Sequence, residues 1–140
     1  MEKTRSVLIV DDDADTREMY GWCLENRGFR VTLAATTGAA LEQMAGAIPD
    51  ILITDYILPG GDGFSLADTL RRAPATSRMT MVLVSGRDFV GDARARASEL
   101  FDRVLVKPVL PDDLVSELLP LMARRAMSVP ETGANPNSSV

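Results

Sequence analysis

The sequence predicts a doubly wound α/β domain, in which a five-stranded parallel sheet is flanked by five helices. Short apolar segments alternate five times with segments of helical periodicity, and this alternation is typical of a parallel sheet with crossover helices. Three of the apolar segments have no polar interruption, as strands covered on both faces usually do. The 140 residues are 46% hydrophobic, enough for a core without disulfides or structural zinc.

Five apolar segments are the predicted strands. The three continuously apolar ones contain Val7-Leu8-Ile9-Val10, Ile51-Leu52-Ile53 and Met81-Val82-Leu83-Val84, and we expect them at the centre of the sheet. The two more polar segments are expected to be less fully covered. The predicted strands cover residues 6–10, 30–34, 51–54, 80–84 and 103–106.

The segments between and after these strands have helical periodicity. Asp15 and Glu18 have the spacing of a capping box at the start of the first helix, and Gly28 is expected to end it. Pro120 is expected to bend the last helix or to end it early. The predicted helices cover residues 15–27, 37–45, 63–72 and 89–100, and a fifth begins after Pro111-Asp112-Asp113.

The end of the sequence differs in composition from the rest. Residues 127–140 are rich in Ser, Pro, Asn and Gly and have no periodicity, so we predict a disordered tail there. The domain itself is then expected to span residues 1–126.

Composition excludes several classes of function. Fifteen Lys and Arg against 20 Asp and Glu leave a net charge of −5, and the arginines are dispersed, which argues against direct nucleic-acid binding. The absence of histidine excludes Ser/His and Cys/His catalytic pairs, a histidine metal site and a phosphohistidine on this chain. A single cysteine, Cys23, and the lack of a membrane-length apolar run or secretion signal predict a cytoplasmic protein.

Polar residues follow four of the five predicted strands. Asp11, Asp12 and Asp13 follow the first, Asp55 the third, Ser85 the fourth and Lys107 the fifth. Because parallel strands end at the same edge of a sheet, we expect these side chains to converge there. Two carboxylates 4 Å apart repel by about 1 kcal/mol in water and about 4 kcal/mol at an effective dielectric of 20. The site therefore requires positive charge, and its oxygen ligands favour Mg²⁺.

Four motifs carry a family resemblance: "VLIVDDD", "DILITDYILPGGDGF", "VLVSG" and "VLVKP", in this order. Together they resemble the receiver domain of two-component response regulators over roughly residues 5–125. The resemblance implies a flavodoxin-like fold and a phosphoacceptor signalling domain, not a conventional enzyme. It also implies a phosphohistidine donor, which is a histidine kinase or a histidine phosphotransfer protein.

The resemblance assigns roles to individual residues of the phosphoryl site. Asp55 would accept the phosphoryl group, the Ser85 hydroxyl would bond to it, and the Lys107 ammonium would bind one of its oxygens. The Lys107-Pro108 bond resembles one that is cis in the family.

The resemblance also implies a set of Mg²⁺ ligands. Asp12 and Asp55 would bind the ion directly, together with the backbone carbonyl of Ile57, and Asp11 would contact it through water. Asp13 would be a supporting acid.

The output is expected to be protein–protein binding by a free-standing receiver, since too few residues follow Arg125 for a DNA-binding module. By resemblance, the docking or homodimer face is built from the fourth helix, the fifth strand and the fifth helix. Val104 stands where many relatives carry Tyr or Phe, so we expect the signal to travel by backbone or loop rearrangement.

Two alternative functions remain open from the sequence. The missing aromatic at Val104 suggests a receiver-like docking module that works without phosphorylation. Asp11 and Asp13 also have the spacing of the nucleophile and the acid/base in phosphatases of the haloacid dehalogenase group. Against the phosphatase, Asp15 stands where that group has Thr, and Asp55 would have no role.

Overall fold

The computed structural model describes residues 4–128, with side chains described up to residue 124. Strands and helices alternate along the chain, with one additional short hairpin. The elements are β1 (Ser6–Val10), α1 (Ala14–Asn26), β2 (Arg30–Ala34), α2 (Thr37–Gly46), β3 (Ile51–Thr54), β4 (Ile57–Leu58), β5 (Gly61–Asp62), α3 (Gly63–Arg72), β6 (Thr80–Ser85), α4 (Gly91–Leu100), β7 (Arg103–Val106) and α5 (Pro111–Ser128).

Five strands form one parallel sheet in the order β2-β1-β3-β6-β7, which confirms the predicted fold class. The chain leaves β1 in one direction to form β2 and then returns to add β3 on the other side of β1. The strand order therefore reverses between β1 and β3. Ligands of open α/β sheets bind in the crevice beyond the strand ends at such a reversal.

The strands divide the apolar side chains between two cores, one on each face of the sheet. Leu8 and Val10 of β1 pack with residues of α2, α3 and α4, whereas Val7 and Ile9 pack with residues of α1 and α5. This division follows from the alternation of side chains along a strand. Both faces are covered, which explains why residues 7–10, 51–53 and 81–84 of the central strands are continuously apolar.

The start of α1 corrects one sequence expectation. The N-cap is Asp13, not the Asp15–Glu18 pair: the Asp13 carboxylate accepts the backbone N–H of Thr16 at 3.0 Å, and Asp15 lies within the first turn. An N-cap residue must have extended backbone, and Asp13 has φ −83° and ψ 110°. The helix therefore begins directly after the acidic segment that follows β1.

The last helix corrects one of the two outcomes expected for Pro120, the early end. Helix α5 continues past Pro120 to Ser128 and does not end early. Pro120 is exposed, so the Ser116 carbonyl that loses its helical donor is open to water, while Leu118 and Leu121 keep the helix packed. Residues 127 and 128 belong to α5, and the rest of the predicted tail lies outside the described residues.

The β4–β5 hairpin, which the sequence did not predict, joins β3 to α3. Gly60 in its turn has φ +83°, a left-handed conformation that favours glycine. Asp62 then caps α3 in a reciprocal capping box with Ser65. Among residues 4–128, no helix has the length and apolar character needed to cross a membrane.

Gly63, the first residue of α3, lies directly against the segment that follows β3. Its N–H donates to the Tyr56 carbonyl at 2.7 Å, and a Cβ on Gly63 would lie 2.6 Å from the carbonyl oxygen of Asp55. That oxygen belongs to the backbone and has little freedom to withdraw. A side chain at residue 63 would therefore push α3 away from the end of β3.

We expect Gly63→Ala to lower the free energy of unfolding by about 1–3 kcal/mol, the range for overpacking a buried site. Chemical denaturation monitored by circular dichroism would measure the change. Gly46→Ala is the matched control, since a Cβ there meets nothing within 4 Å and should leave stability unchanged or slightly raised. Equal stability of the two variants would contradict the close approach at Gly63.

Candidate functional site

Three carboxylates meet where the strand order reverses. Asp11 and Asp12 follow β1, Asp55 follows β3, and one oxygen from each lies within 4.8 Å of the others. The backbone holds both segments in place, because Asp11 N–H donates to the Ala34 carbonyl and Asp55 N–H to the Val10 carbonyl. Asp11 is buried at 4% exposure, Asp12 is exposed, and Asp55 is intermediate. The acids thus form a cluster that is open on one side.

Lys107 supplies the positive charge within this cluster. Its Nζ lies 3.1 Å from Asp55 Oδ2 and 3.3 Å from Asp11 Oδ2, and donates to both. These partners are 52 and 96 residues away in the chain. The structure therefore brings together the residues that follow the first, third and fifth predicted strands.

The ionisation of these groups reflects both burial and charge. Burial raises the pKa of Asp11, and the neighbouring Asp55 charge adds to the increase, against the opposing effects of the Asp13 N–H and the Lys107 ammonium. Burial disfavours the charged form of Lys107, but its hydrogen bond to Asp55 and the two carboxylate charges raise its pKa overall. The ammonium is thereby kept protonated between the acids.

Hydrogen bonds shape the turn that presents Asp11 and Asp12. Asp11 Oδ1 accepts the Asp13 N–H at 2.9 Å, and Arg17 Nη1 donates to the Asp11 carbonyl at 2.7 Å. The Asp13 carboxylate is used by the N-cap, and its hydrogen bonds with the Thr16 hydroxyl and N–H lower the pKa of Asp13. Asp13 therefore acts in the structure of the turn. The contact of Arg17 was not predictable from the sequence, because an arginine within a helix has no distinguishing pattern.

The Asp55 carboxylate is oriented by its own backbone. Its Oδ1 accepts the Tyr56 N–H at 2.7 Å, while Oδ2 faces Lys107. The Thr54 hydroxyl, which is fully buried, donates to the Asp55 carbonyl at 2.9 Å. Ile57, two residues later, begins β4 with an exposed side chain.

Ser85 ends β6 and is buried beside the Lys107 backbone. Its carbonyl accepts the Lys107 N–H at 2.8 Å, and its Oγ accepts the Arg87 N–H at 3.0 Å. The hydroxyl hydrogen of Ser85 is not needed for either bond. The Lys107-Pro108 bond is cis, as the resemblance led us to expect.

The donor set fits a hard cation. All three side-chain donors are carboxylate oxygens, which suit Mg²⁺, Ca²⁺ or Mn²⁺ better than softer ions. Direct ligands on opposite sides of an octahedral Mg²⁺ ion are about 4.2 Å apart. One oxygen from each of the three acids lies within 4.8 Å of the others, close enough for one ion to bind among them. The residues present therefore fit Mg²⁺.

An aromatic group that sequence analysis missed lies beside the site. Tyr56, Phe64 and Phe89 pack with ring centroids 4.9 to 5.0 Å apart, and Val104 packs against the same core. The three rings come from separate segments, so no sequence spacing connects them. A cavity of about 470 Å³ between α4 and β7 is lined by residues that include Phe89, Phe101 and Val104.

Comparison with known proteins identifies the family of this fold and site. The model of the response regulator receiver domain matches residues 7–119. The phosphate regulon transcriptional regulatory protein PhoB of Klebsiella pneumoniae is 33% identical over 121 residues, covering 86% of this chain and 52% of PhoB. An uncharacterized 14.6 kDa protein in the sodA1 3' region of Leptolyngbya boryana is 32% identical, covering 78% and 83% of the two chains. The chain spans about half the length of the PhoB proteins that it matches.

Solved structures agree with the sequence relatives. A putative response regulator from Chloroflexus aurantiacus superposes with a TM-score of 0.79 at 33% identity, covering 87% of this chain and all of that one. A CheY-like receiver domain protein from Methanospirillum hungatei has a TM-score of 0.83 at 24% identity, which supports the fold. The chain belongs to the response regulator receiver domain family of two-component signalling.

Proposed function

We propose that this chain accepts a phosphoryl group on Asp55 from a phosphohistidine donor, with Mg²⁺, and signals through protein–protein binding. The observation that carries the proposal is the Lys107 ammonium, which bridges Asp55 and Asp11 within a cluster of three carboxylates. Receiver domains are phosphoacceptor signalling domains and not conventional enzymes. We also propose that the chain assists its own phosphorylation and dephosphorylation.

The proposed reaction is a transfer between two proteins. An Asp55 carboxylate oxygen attacks the phosphorus of the phosphohistidine, the new O–P bond forms, and the P–N bond breaks with its electron pair going to the histidine nitrogen. Because these 140 residues contain no histidine, the donor histidine lies outside them, on a histidine kinase or a histidine phosphotransfer protein. The nucleophile is a carboxylate oxygen, and a carboxylate attacks without an activating base.

The main barrier to this transfer is charge, because an anionic nucleophile approaches a phosphoryl group that carries negative oxygens. Lys107 would move from its carboxylate partners to one phosphoryl oxygen, and the Ser85 hydroxyl would donate to another. Asp12, Asp55 and the Ile57 carbonyl would hold Mg²⁺, with Asp11 contacting it through water. When bound, Mg²⁺ would neutralise charge shared by the acids and the phosphoryl oxygens.

The output belongs to the same proposal. The face formed by α4, β7 and α5 would bind a downstream protein or a second copy of the chain. Two arginines of this face, Arg96 of α4 and Arg103 of β7, already have partners within the chain: Arg96 pairs with Asp68 and Arg103 with Glu117. Surface charge there is therefore partly compensated. We place this activity in the cytoplasm, which suits a chain with one cysteine and no disulfide.

Two alternatives are weaker. A docking module that works without phosphorylation gives no reason for the convergence of three acids and a lysine, and a phosphorylation-dependent change in partner affinity would eliminate it. A phosphatase of the haloacid dehalogenase type would need Asp13 as its acid/base. The N-cap of α1 already uses that carboxylate.

Incubation with acetyl phosphate and Mg²⁺ should add one phosphoryl group to the wild-type chain. Asp55→Asn should abolish the addition, because the nucleophilic oxygen is lost, whereas Asp15→Asn on the outer surface of α1 should retain it. Intact-mass spectrometry measures the modification, and peptide mapping locates it. Phosphate on Asp11, or an unmodified wild-type protein, would overturn the proposed function.

Mg²⁺ should raise the melting temperature relative to chelator, since the ion offsets repulsion among the three acids. At 100 times its dissociation constant the ion adds about 2.7 kcal/mol to the free energy of unfolding. Differential scanning calorimetry would measure the shift. Asp12→Asn should reduce it and Asp15→Asn should keep it. An identical melt of wild type in both buffers would remove the case for a bound cation.

A further inference from the structure

Beyond the residues of the reaction itself, we propose that Tyr20 of α1 is a positioning residue, whose hydroxyl holds Lys107 in register with Asp55. The inference rests on the proposed function, because it concerns the same phosphoryl transfer. It is carried by a hydrogen bond between α1 and the segment that follows β7.

Lys107 lies where the sheet has ended and α5 has not begun. β7 ends at Val106 and α5 begins at Pro111, so residues 107–110 form a connecting segment. The Lys107 N–H is bonded to the Ser85 carbonyl at one end, and the Leu110 carbonyl accepts the Leu114 N–H of α5 at the other. The direction of the Lys107 side chain therefore depends on the path that the backbone takes between these two bonds.

Tyr20 holds that path at its middle. Its hydroxyl donates to the Val109 carbonyl at 2.7 Å, across 89 residues of sequence. The ring is 4% exposed and packs in the core that contains Leu24, Leu114 and Leu118, so it is fixed by its surroundings. A buried tyrosine hydroxyl requires a partner, and this one is satisfied by the backbone two residues after Lys107.

The same helix also holds the acidic half of the site. Arg17, one turn before Tyr20, donates to the Asp11 carbonyl at 2.7 Å. Helix α1 therefore contacts the backbone on both sides of the Lys107–Asp11 ion pair. By holding the segment after β1 and the segment after β7, α1 sets the distance between Asp11 and the Lys107 ammonium. A change at Tyr20 alone therefore frees only the segment that carries Lys107.

The experiment is the removal of one oxygen atom. Tyr20→Phe keeps the ring and its packing but leaves the Val109 carbonyl without its donor. We expect the phosphorylation rate from acetyl phosphate at saturating Mg²⁺ to fall about tenfold, because small misplacement of a charged group weakens transition-state contacts. The Mg²⁺ dissociation constant, measured by calorimetric titration, should change less than about twofold, since the acid side keeps its contacts.

A double-mutant cycle separates positioning from general stability. In a Lys107→Met background the hydroxyl has no ammonium left to position, so adding Tyr20→Phe should change the residual rate less than about twofold. Arg27→Met, which removes an ion pair between the C-cap of α1 and Asp112 of α5, is the control for loosening the helix and should leave the wild-type rate unchanged. All rates are compared well below each variant's melting temperature.

The outcomes distinguish this inference from the proposed function. If wild type is not phosphorylated on Asp55, the proposed function fails. If wild type is phosphorylated and Tyr20→Phe reacts equally fast, Tyr20 does not position Lys107. An equal slowing by Tyr20→Phe in the wild-type and Lys107→Met backgrounds would also overturn the inference, because the effect would not pass through the lysine.

Discussion

The ion pairs between Lys107 and two carboxylates are the interaction on which the site depends. Asp11 is almost fully buried, and a buried charge is costly unless it is paired and hydrogen-bonded. Lys107 Nζ lies 3.3 Å from Asp11 Oδ2 and 3.1 Å from Asp55 Oδ2, and these two ion pairs join the segments that follow β1, β3 and β7 at one edge of the sheet. One ammonium beside three carboxylates leaves two negative charges, and a divalent cation matches that remainder. The same imbalance that would destabilise an isolated cluster thus favours binding of a divalent cation.

The parallel sheet is what makes this arrangement possible, and it also explains how much the sequence predicts. The five strands of the parallel sheet were predicted to within one residue, and the three central ones had the clearest signal because strands covered on both faces are largely apolar. The convergence of Asp11, Asp12, Asp55 and Lys107 followed from the rule that parallel strands end at one edge. Local periodicity was sufficient to predict the strands, and one topological rule was sufficient to predict which residues meet at the site.

What the sequence left undetermined depends on tertiary contacts. Asp is a favoured N-cap residue at either position 13 or position 15. Asp13 is the N-cap because the extended backbone that follows β1 ends there and helical backbone begins at Ala14. Pro120 interrupts a helix in isolation, but its position on the exposed side of α5 makes the interruption tolerable. The bonds of Tyr20 to Val109 and of Arg17 to Asp11 join segments that no spacing connects. Side chains that hold a functional group through the backbone have no local signature.

The packing around Val104 bears on how a change at Asp55 reaches the surface. A valine has one stiff side-chain torsion and cannot swing through a large arc, so it cannot act as a rotating ring. The site is instead connected to the segment after β6, because the Ser85 hydroxyl oxygen accepts the Arg87 N–H. The Arg87 guanidinium carbon in turn lies 5.5 Å from the centroid of the Tyr56 ring. Helix α4, which follows, begins at Gly91, and its N-cap residue, Val90, provides no side-chain hydrogen bond. Movement of Ser85 toward a phosphoryl group would therefore act first on the segment between β6 and α4, which borders the cavity beside Val104.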